Sequence, residues 1–173
     1  MLEPAIKYKD QLKHAFYNTW FKEKYKFYHN EAYYNELTIH EDTWNYNQFV
    51  SVVDGKVIGY ISYQILRNEY YAQNLAIINF TDDSIAFGRD LKIALQDIFE
   101  TYKLRKLKFS VVVGNPIEKS YDKMIKNYGG RIVGVYKENC KLIDGLYYDT
   151  KIYEILASDY FTAKEKYYSS EVK

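Results

Sequence analysis

The order strand, helix, strand across residues 69–113 constrains this chain more than any other feature. "EYYAQNLAIINF" reads as a strand and "KLKFSVVV" as another, while Phe87, Leu91, Ala94, Leu95 and Ile98 make one apolar helical face between them. A strand that returns through a helix to its own sheet must run parallel to its partner, with a right-handed crossover. The chain is therefore expected to be an α/β (α+β) fold. Its mixed central sheet carries flanking helices and one parallel pair whose C-terminal ends splay into a cleft between Ile78 and Asn115. The continuous apolar end of the second strand predicts burial on both faces.

Around this unit the period changes twice. Ile6, Leu12, Phe16 and Trp20 fall near helical spacing, and "NEAYYNELTIH" predicts a second helix capped at Asn30, so the first forty residues read as helices. "WNYNQFVSVVDGKVIGYISYQI" alternates instead, as two strands joined at Asp54-Gly55, residues that tolerate the positive φ of a tight hairpin. Arg67-Asn68 marks the next turn. "GNPIEKSYDKMIKNYGG" is a helix with Asn115 as cap, Pro116 in first position, Glu118 closing a capping box and Gly129-Gly130 ending it. Its buried face is Ile117, Tyr121, Met124, Ile125 and Tyr128. Two closing strands, "RIVGVYKENCKL" and "LYYDTKIYEIL", turn at Asp144-Gly145. Residues 1–157 read as one domain, and 158–173 as a polar tail, either a surface helix or disordered.

Composition removes several function classes. With 24 Lys+Arg against 23 Asp+Glu, a net charge of +1 gives no global attraction to nucleic acid or anionic membrane. The basic–aromatic interleaving of "FKEKYKFYHNEAYY" is a pattern that binds nucleic acid by phosphate contacts and stacking. Glu23, Glu31, Glu36, Glu41 and Asp42 dilute its field, so nucleic acid is not the expected partner. The single cysteine, Cys140, excludes an internal disulfide framework and reads as a small buried residue. His14, His29 and His40 lack metal-ligand spacing, and no metal is expected. No run approaches the roughly 18 apolar residues of a membrane span, so the expected location is the cytoplasm.

Gly88 poses the chemical question. A glycine inside a helix is unfavourable by roughly 0.5–1 kcal/mol relative to alanine. Either it is tolerated in a helix capped by Asp82, Asp83 or Ser84, or it lets backbone N–H groups approach a phosphate.

The element order resembles that of the GNAT acetyltransferase superfamily over residues 1–157. "FVSVVDGKVIGYISYQI" resembles the second and third strands of that family. "GNPIEKSYDKMIKNYGGRIVGVYKENCKLIDGLYYDTKIYEIL" is similar to its last third, including the glycine pair and Asp144, Gly145, Tyr147 and Asp149. The family's pyrophosphate loop, Q/R-x-x-G-x-G/A, falls on Asp83 to Gly88, with small residues at Ala86 and Gly88. Asp83 stands where that loop is basic or amide and opposes an anion, which Arg89 and Lys92 partly offset.

The resemblance implies an N-acetyltransferase that uses acetyl-CoA, with a primary amine attacking the thioester directly. It implies cofactor contacts at Ile78, Phe80, Ile85, Ala86, Phe87, Gly88, Arg89, Asn115 and Ser120, with Ile78 marking the backbone donor for the thioester oxygen. Asn115 and Ser120 read equally as a helix cap and a surface serine. The family's base position falls on Ala72, which takes no proton, leaving Glu69 to act through water or to be an exposed strand-end carboxylate. The family's tyrosine acid falls on Ile125, and Tyr121 one turn earlier is either the acid or core. Tyr33, Tyr34, Glu36 and His40 would form an aromatic, negative wall for a cationic small-molecule or peptide amine. The protein would be a monomer or homodimer. The departures at Ala72, Asp83 and Ile125 keep a second reading open, a GNAT-fold binding or regulatory module without catalysis.

Overall fold

The computed structural model describes residues 1–29, 36–81 and 85–171. Among these the strands are β1 (Leu2–Pro4), β2 (Tyr46–Val53), β3 (Lys56–Leu66), β4 (Tyr71–Asn79), β5 (Lys106–Val112), β6 (Arg131–Lys141) and β7 (Tyr147–Leu156). The helices are α1 (Lys9–Tyr17), α2 (Ile85–Gln96), α3 (Glu118–Tyr128) and α4 (Ala157–Glu171). One sheet runs β1-β2-β3-β4-β5-β7-β6. It is antiparallel except where β4 meets β5, as the crossover through α2 requires. The Asp54-Gly55 hairpin forms with both residues at positive φ, 48° and 74°.

Two cores sandwich the sheet. On one face α2, α3 and α4 cover Ile61, Leu75, Ile77, Leu107, Phe109 and Tyr153; on the other, α1 covers Val50, Tyr60 and Ile78. The C-terminal residues carry part of the first core. Tyr160 of α4 is buried, its ring stacked on Phe99 at 4.6 Å and on Tyr128 at 5.8 Å.

Three expectations are corrected. Among the described residues, the first forty do not form two helices. They contain β1, α1 and short 3-10 turns at Ala5–Tyr8 and Glu23–Tyr28. The proposed cap Asn30 and residues 31–35 lie outside the described residues, and 36–40 are not helical. There the Gln48 side chain replaces helix bonding, accepting from His40 N at 2.7 Å and donating to Thr38 O at 2.8 Å. β5 is buried on one face only: Leu107, Phe109 and Val111 face the helices, while Lys108 and Ser110 are exposed. Finally, α3 begins at Glu118 and not at Pro116: Pro116 and Ile117 form the turn before it, Asn115 Oδ1 accepts from Ile117 N within that turn at 3.1 Å, and Glu118 reaches back to Gly114 N at 2.9 Å. α3 ends as expected, with Gly129 left-handed at φ 77° and Gly130 N donating to Ile125 O.

Candidate active site

β4 and β5 pair only at Tyr71↔Lys106 and Ala72↔Leu107, then part. The cause is local to β4. Asn74 and Leu75 together stand opposite the single residue Tyr63, a bulge in which Asn74 adopts φ 55°. Asparagine tolerates that left-handed conformation better than most side chains, and a bulge bends its strand and increases its twist. Beyond it β4 follows β3, while β5 stays paired with β7 as far as Val112↔Thr150. The sheet divides between them.

The ladder fixes which backbone groups line the opening. Phe80 N donates to Ile58 O at 3.0 Å, so by alternation Phe80 and Ile78 face β3, while Ile77 and Asn79 aim N–H and C=O into the splay. Both carbonyls are engaged by one segment. Tyr28 Oη donates to Ile77 O at 2.8 Å and Tyr25 Oη to Asn79 O at 3.1 Å. Tyr25 and Tyr28 come from the 3-10 turn Glu23–Tyr28, in which residues three apart eclipse. This strap is clasped to the β6–β7 turn. Lys26 Nζ reaches Glu23 at 2.9 Å, Asp144 at 3.1 Å and Tyr148 Oη at 3.1 Å. Tyr148 Oη, donating at 2.6 Å, and Leu146 N–H push the Asp144 carboxyl down to about 2, with Lys26 adding to the effect.

On the helix face, α2 and α3 flank the splay around a cavity of about 270 Å³ lined by Ile77, Gly88, Lys92, Ser120, Tyr121 and Lys123, among others. A second cavity of about 330 Å³ shares Lys92, Asn127 and Tyr128 with it and extends to Lys164 of α4. A Cβ built on Gly88 meets nothing within 4 Å, so protein packing does not demand the glycine. Its neighbour Phe87 is buried, its ring over Gly59, which anchors the first turn of α2 to β3. Asn115 stands three residues past the end of β5, with Oδ1 committed to Ile117 and Nδ2 making no hydrogen bond among the described residues.

The other expected residues fall as follows. Ala86 is half-buried, and Ile85 and Arg89 are exposed, all at the start of α2. Ser120 is exposed on the cavity rim. Ile78 and Phe80 are corrected: their backbones are spent on β3, and their side chains belong to the α1 face. The bulge shifts the strand's parity, so Ile77 and Asn79 take the splay positions. Glu69, the expected base, stands apart from the splay. It follows Arg67 in the turn before β4, at the end where β4 and β5 are still paired, and lines a separate depression with Trp44 and Asn68.

Tyr121 closes the cavity floor. Its ring packs edge-on against Phe109 at 5.0 Å and Tyr153 at 5.9 Å, and burial, reinforced by Tyr28 and Tyr153, raises its hydroxyl well above the usual phenol range. His40 stacks on Tyr46 at 3.8 Å, beside the start of β2, and its backbone N–H donates to Gln48, whose Nε2 donates to Tyr60 Oη. Glu36 lines a cavity beside α1 with His14 and Trp20. Tyr33, Tyr34, Asp82, Asp83 and Ser84 lie outside the described residues. Among the described residues no group of His, Cys, Asp and Glu side chains is placed to hold a metal ion.

Sequence reasoning missed Tyr25 and Tyr28. Their signal was present in "FKEKYKFYHNEAYY", but three-residue spacing of tyrosines becomes informative only once the segment is a 3-10 turn.

No family model matches the sequence, and no curated protein matches it. Solved structures do match. A spermidine N-acetyltransferase from Vibrio cholerae, in complex with CoA and spermine, is 22% identical with a TM-score of 0.71, covering 93% of this chain and 97% of that one. A GCN5-related N-acetyltransferase from Brucella melitensis is 17% identical with a TM-score of 0.68, covering 97% and 80%. A spermidine/spermine N-acetyltransferase from Vibrio cholerae crystallised with manganese ions is 26% identical with a TM-score of 0.57, covering 71% of each chain.

Proposed function

We propose, for a chain that has the fold of the GNAT-type acetyltransferases, transfer of an acetyl group from acetyl-CoA to a small cationic amine. The observation that carries the reading is the unfilled space at Gly88, on the first turn of α2 and beside the splay. A helix start is an anion site because its first N–H groups lack intrahelical acceptors and the helix dipole adds positive potential there. A side chain at position 88 would narrow the approach to those groups. Lys92 and Lys123 on the same cavity suit a diphosphate.

In this reading the backbone from Ile85 to Arg89 binds the diphosphate. Asn115 offers Nδ2 to the pantetheine arm, with Ser120 beside it. The Ile77 and Asn79 N–H groups are the backbone donors for a developing oxyanion. Bound acetyl-CoA supplies the activated acyl group. The strap and the β6–β7 turn form the acceptor side, where Glu23 and Asp144 share the single cation of Lys26 and leave a net negative charge for a cationic amine. With Ala72 in the closed end of the sheet and Glu69 on the far side of it, the acceptor reaches the site as its own neutral fraction. A free α-amine, with a pKa of about 7.7–8.0, meets that demand far better than a lysine-like amine at about 10.4.

The test is thermal stabilisation by acetyl-CoA, followed by thiol release against a panel of α-amines, polyamines and peptides. A ligand at 100 times its Kd adds about 2.7 kcal/mol to the folded state. Absence of any stabilisation overturns the proposal. Stabilisation without thiol release on every amine favours the second reading, a binding module, which the apolar residues Ala72 and Ile125 already support.

A further inference from the structure

The geometry points to Tyr28, from the strap, as the side chain that hydrogen-bonds the departing sulfur and stabilises it as a thiolate. The inference rests on the acetyl-transfer reading above. It goes beyond the resemblance, which places the acid on α3.

The splay joins the two faces of the sheet. The diphosphate site lies at α2 on the helix face, and Tyr25 and Tyr28 pack with the α1-side core on the other. An extended arm held at α2 and entering the splay therefore brings its reactive end toward the strap. Tyr28 is the deeper of the two strap hydroxyls, seated at Ile77, whereas Tyr25 sits two residues nearer the end of β4. The Ile77 carbonyl that holds the Tyr28 hydroxyl is also a natural acceptor for an amide N–H of the arm. When that N–H takes the carbonyl, the Tyr28 hydroxyl exchanges its Ile77 acceptor for the sulfur.

The residue at the α3 position expected to donate is Ile125, which has no proton to give. Tyr121, one turn earlier, is wedged between Phe109 and Tyr153 and is 3% exposed. Burial, with Tyr25 adjacent, holds the Tyr28 phenol in its protonated form far above neutral pH, so it remains a donor throughout the working range. The Lys26–Asp144–Tyr148 clasp fixes the strap from outside and thereby the position of that hydroxyl.

The step balances without further reagents. The neutral amine nitrogen bonds to the acetyl carbon, the carbon–sulfur bond breaks with its electron pair on sulfur, and the nitrogen releases one proton to solvent. The thiolate, held by the Tyr28 O–H, later takes a proton from solvent.

The experiment uses free CoA, so it does not depend on turnover. Ultraviolet thiolate absorbance of bound CoA is titrated in the wild type, Tyr28→Phe and Tyr121→Phe, with melting temperatures and CoA thermal shifts as controls for folding and binding. A hydrogen bond to the charged form lowers a pKa. The wild type is expected to depress the thiol pKa by about one unit, which is tenfold in thiolate population, and Tyr28→Phe to abolish the depression with CoA binding retained. With an amine that the wild type acetylates, Tyr28→Phe should lower kcat about 10²-fold at unchanged KM for acetyl-CoA. Equal thiol pKa values in wild type and Tyr28→Phe overturn the inference, as does a loss confined to Tyr121→Phe. Failure of CoA to bind the wild type overturns the acetyl-transfer reading itself.

Discussion

Replacing Gly59 with alanine tests how the sheet positions the anion-binding helix start. Gly59 lies in β3 opposite Asn79, and a Cβ there would stand 2.3 Å from Phe87 Cε2 and 2.4 Å from Cδ2. Carbon atoms rest at about 3.5–4.0 Å, so the ring must move by about 1 Å or more. Phe87 is 6% exposed and buried in the larger core, so that motion has no free volume to use. Overpacking of this kind costs about 1–3 kcal/mol, or about 2–12 °C in Tm for a chain of this size. The sign discriminates, because glycine to alanine in an unobstructed strand is favourable by roughly 0.5–1 kcal/mol. Phe87 also precedes Gly88, so the displaced ring carries the first turn of α2 with it and acetyl-CoA binding should weaken. Urea denaturation and CoA thermal shifts on Gly59→Ala, Phe87→Leu and the double variant measure both effects. The smaller side chain should relieve the clash, giving a coupling of at least about 0.5 kcal/mol. A stabilised Gly59→Ala with native CoA affinity, or strict additivity, would refute the packing argument.

Other perturbations reach different parts of the molecule. Ser51→Ala removes the buried hydroxyl that donates to Asp90 Oδ2 at 2.5 Å and should cost about 1–3 kcal/mol by urea denaturation. Asn115→Ala removes the acceptor for Ile117 N and should cost about 0.5–2 kcal/mol; a weaker CoA thermal shift in addition would mark its second role. His29 is 2% exposed, and burial lowers its pKa below 6.5. The unfolded chain therefore binds a proton that the folded chain resists, so stability is full above about pH 6.5 and falls as pH drops toward the folded pKa. His29→Gln should flatten that part of the urea-midpoint profile. Glu69→Gln should leave kcat/KM within about twofold, since a general base contributes about 10²–10⁴; a larger loss would return Glu69 to the chemistry.

The elements that local residues dictate were legible in the chain. Asp54-Gly55 specifies a hairpin because both positions need positive φ, and Gly129 ends α3 for the same reason. The crossover through α2 requires β4 and β5 to be parallel whatever else surrounds them, and the fold resemblance followed from that order. The site was read less well. A single extra residue at Asn74–Leu75 reverses the parity of β4, moving the splay-facing backbone from Ile78 and Phe80 to Ile77 and Asn79. No alternation pattern shows it, because Ala76, Ile77 and Ile78 are all apolar. Glu69 looked close to the cleft along the chain, yet the divergence begins only beyond Ala72, which leaves Glu69 at the end of β4 where the two strands are still paired.

Tyr25 and Tyr28 meet β4 across 54 and 49 residues of sequence, and Lys26 meets Asp144 across 118. Local propensity carries no information about such contacts. The sequence by itself determined β2 to β7, the hairpin turns and the parallel crossover, since backbone sterics and hydrophobic period act over a few neighbouring residues. Only the tertiary structure decided where the sheet opens and which hydroxyls reach the opening, because those depend on how a bulge in one strand and a strap from the far end of the chain pack together.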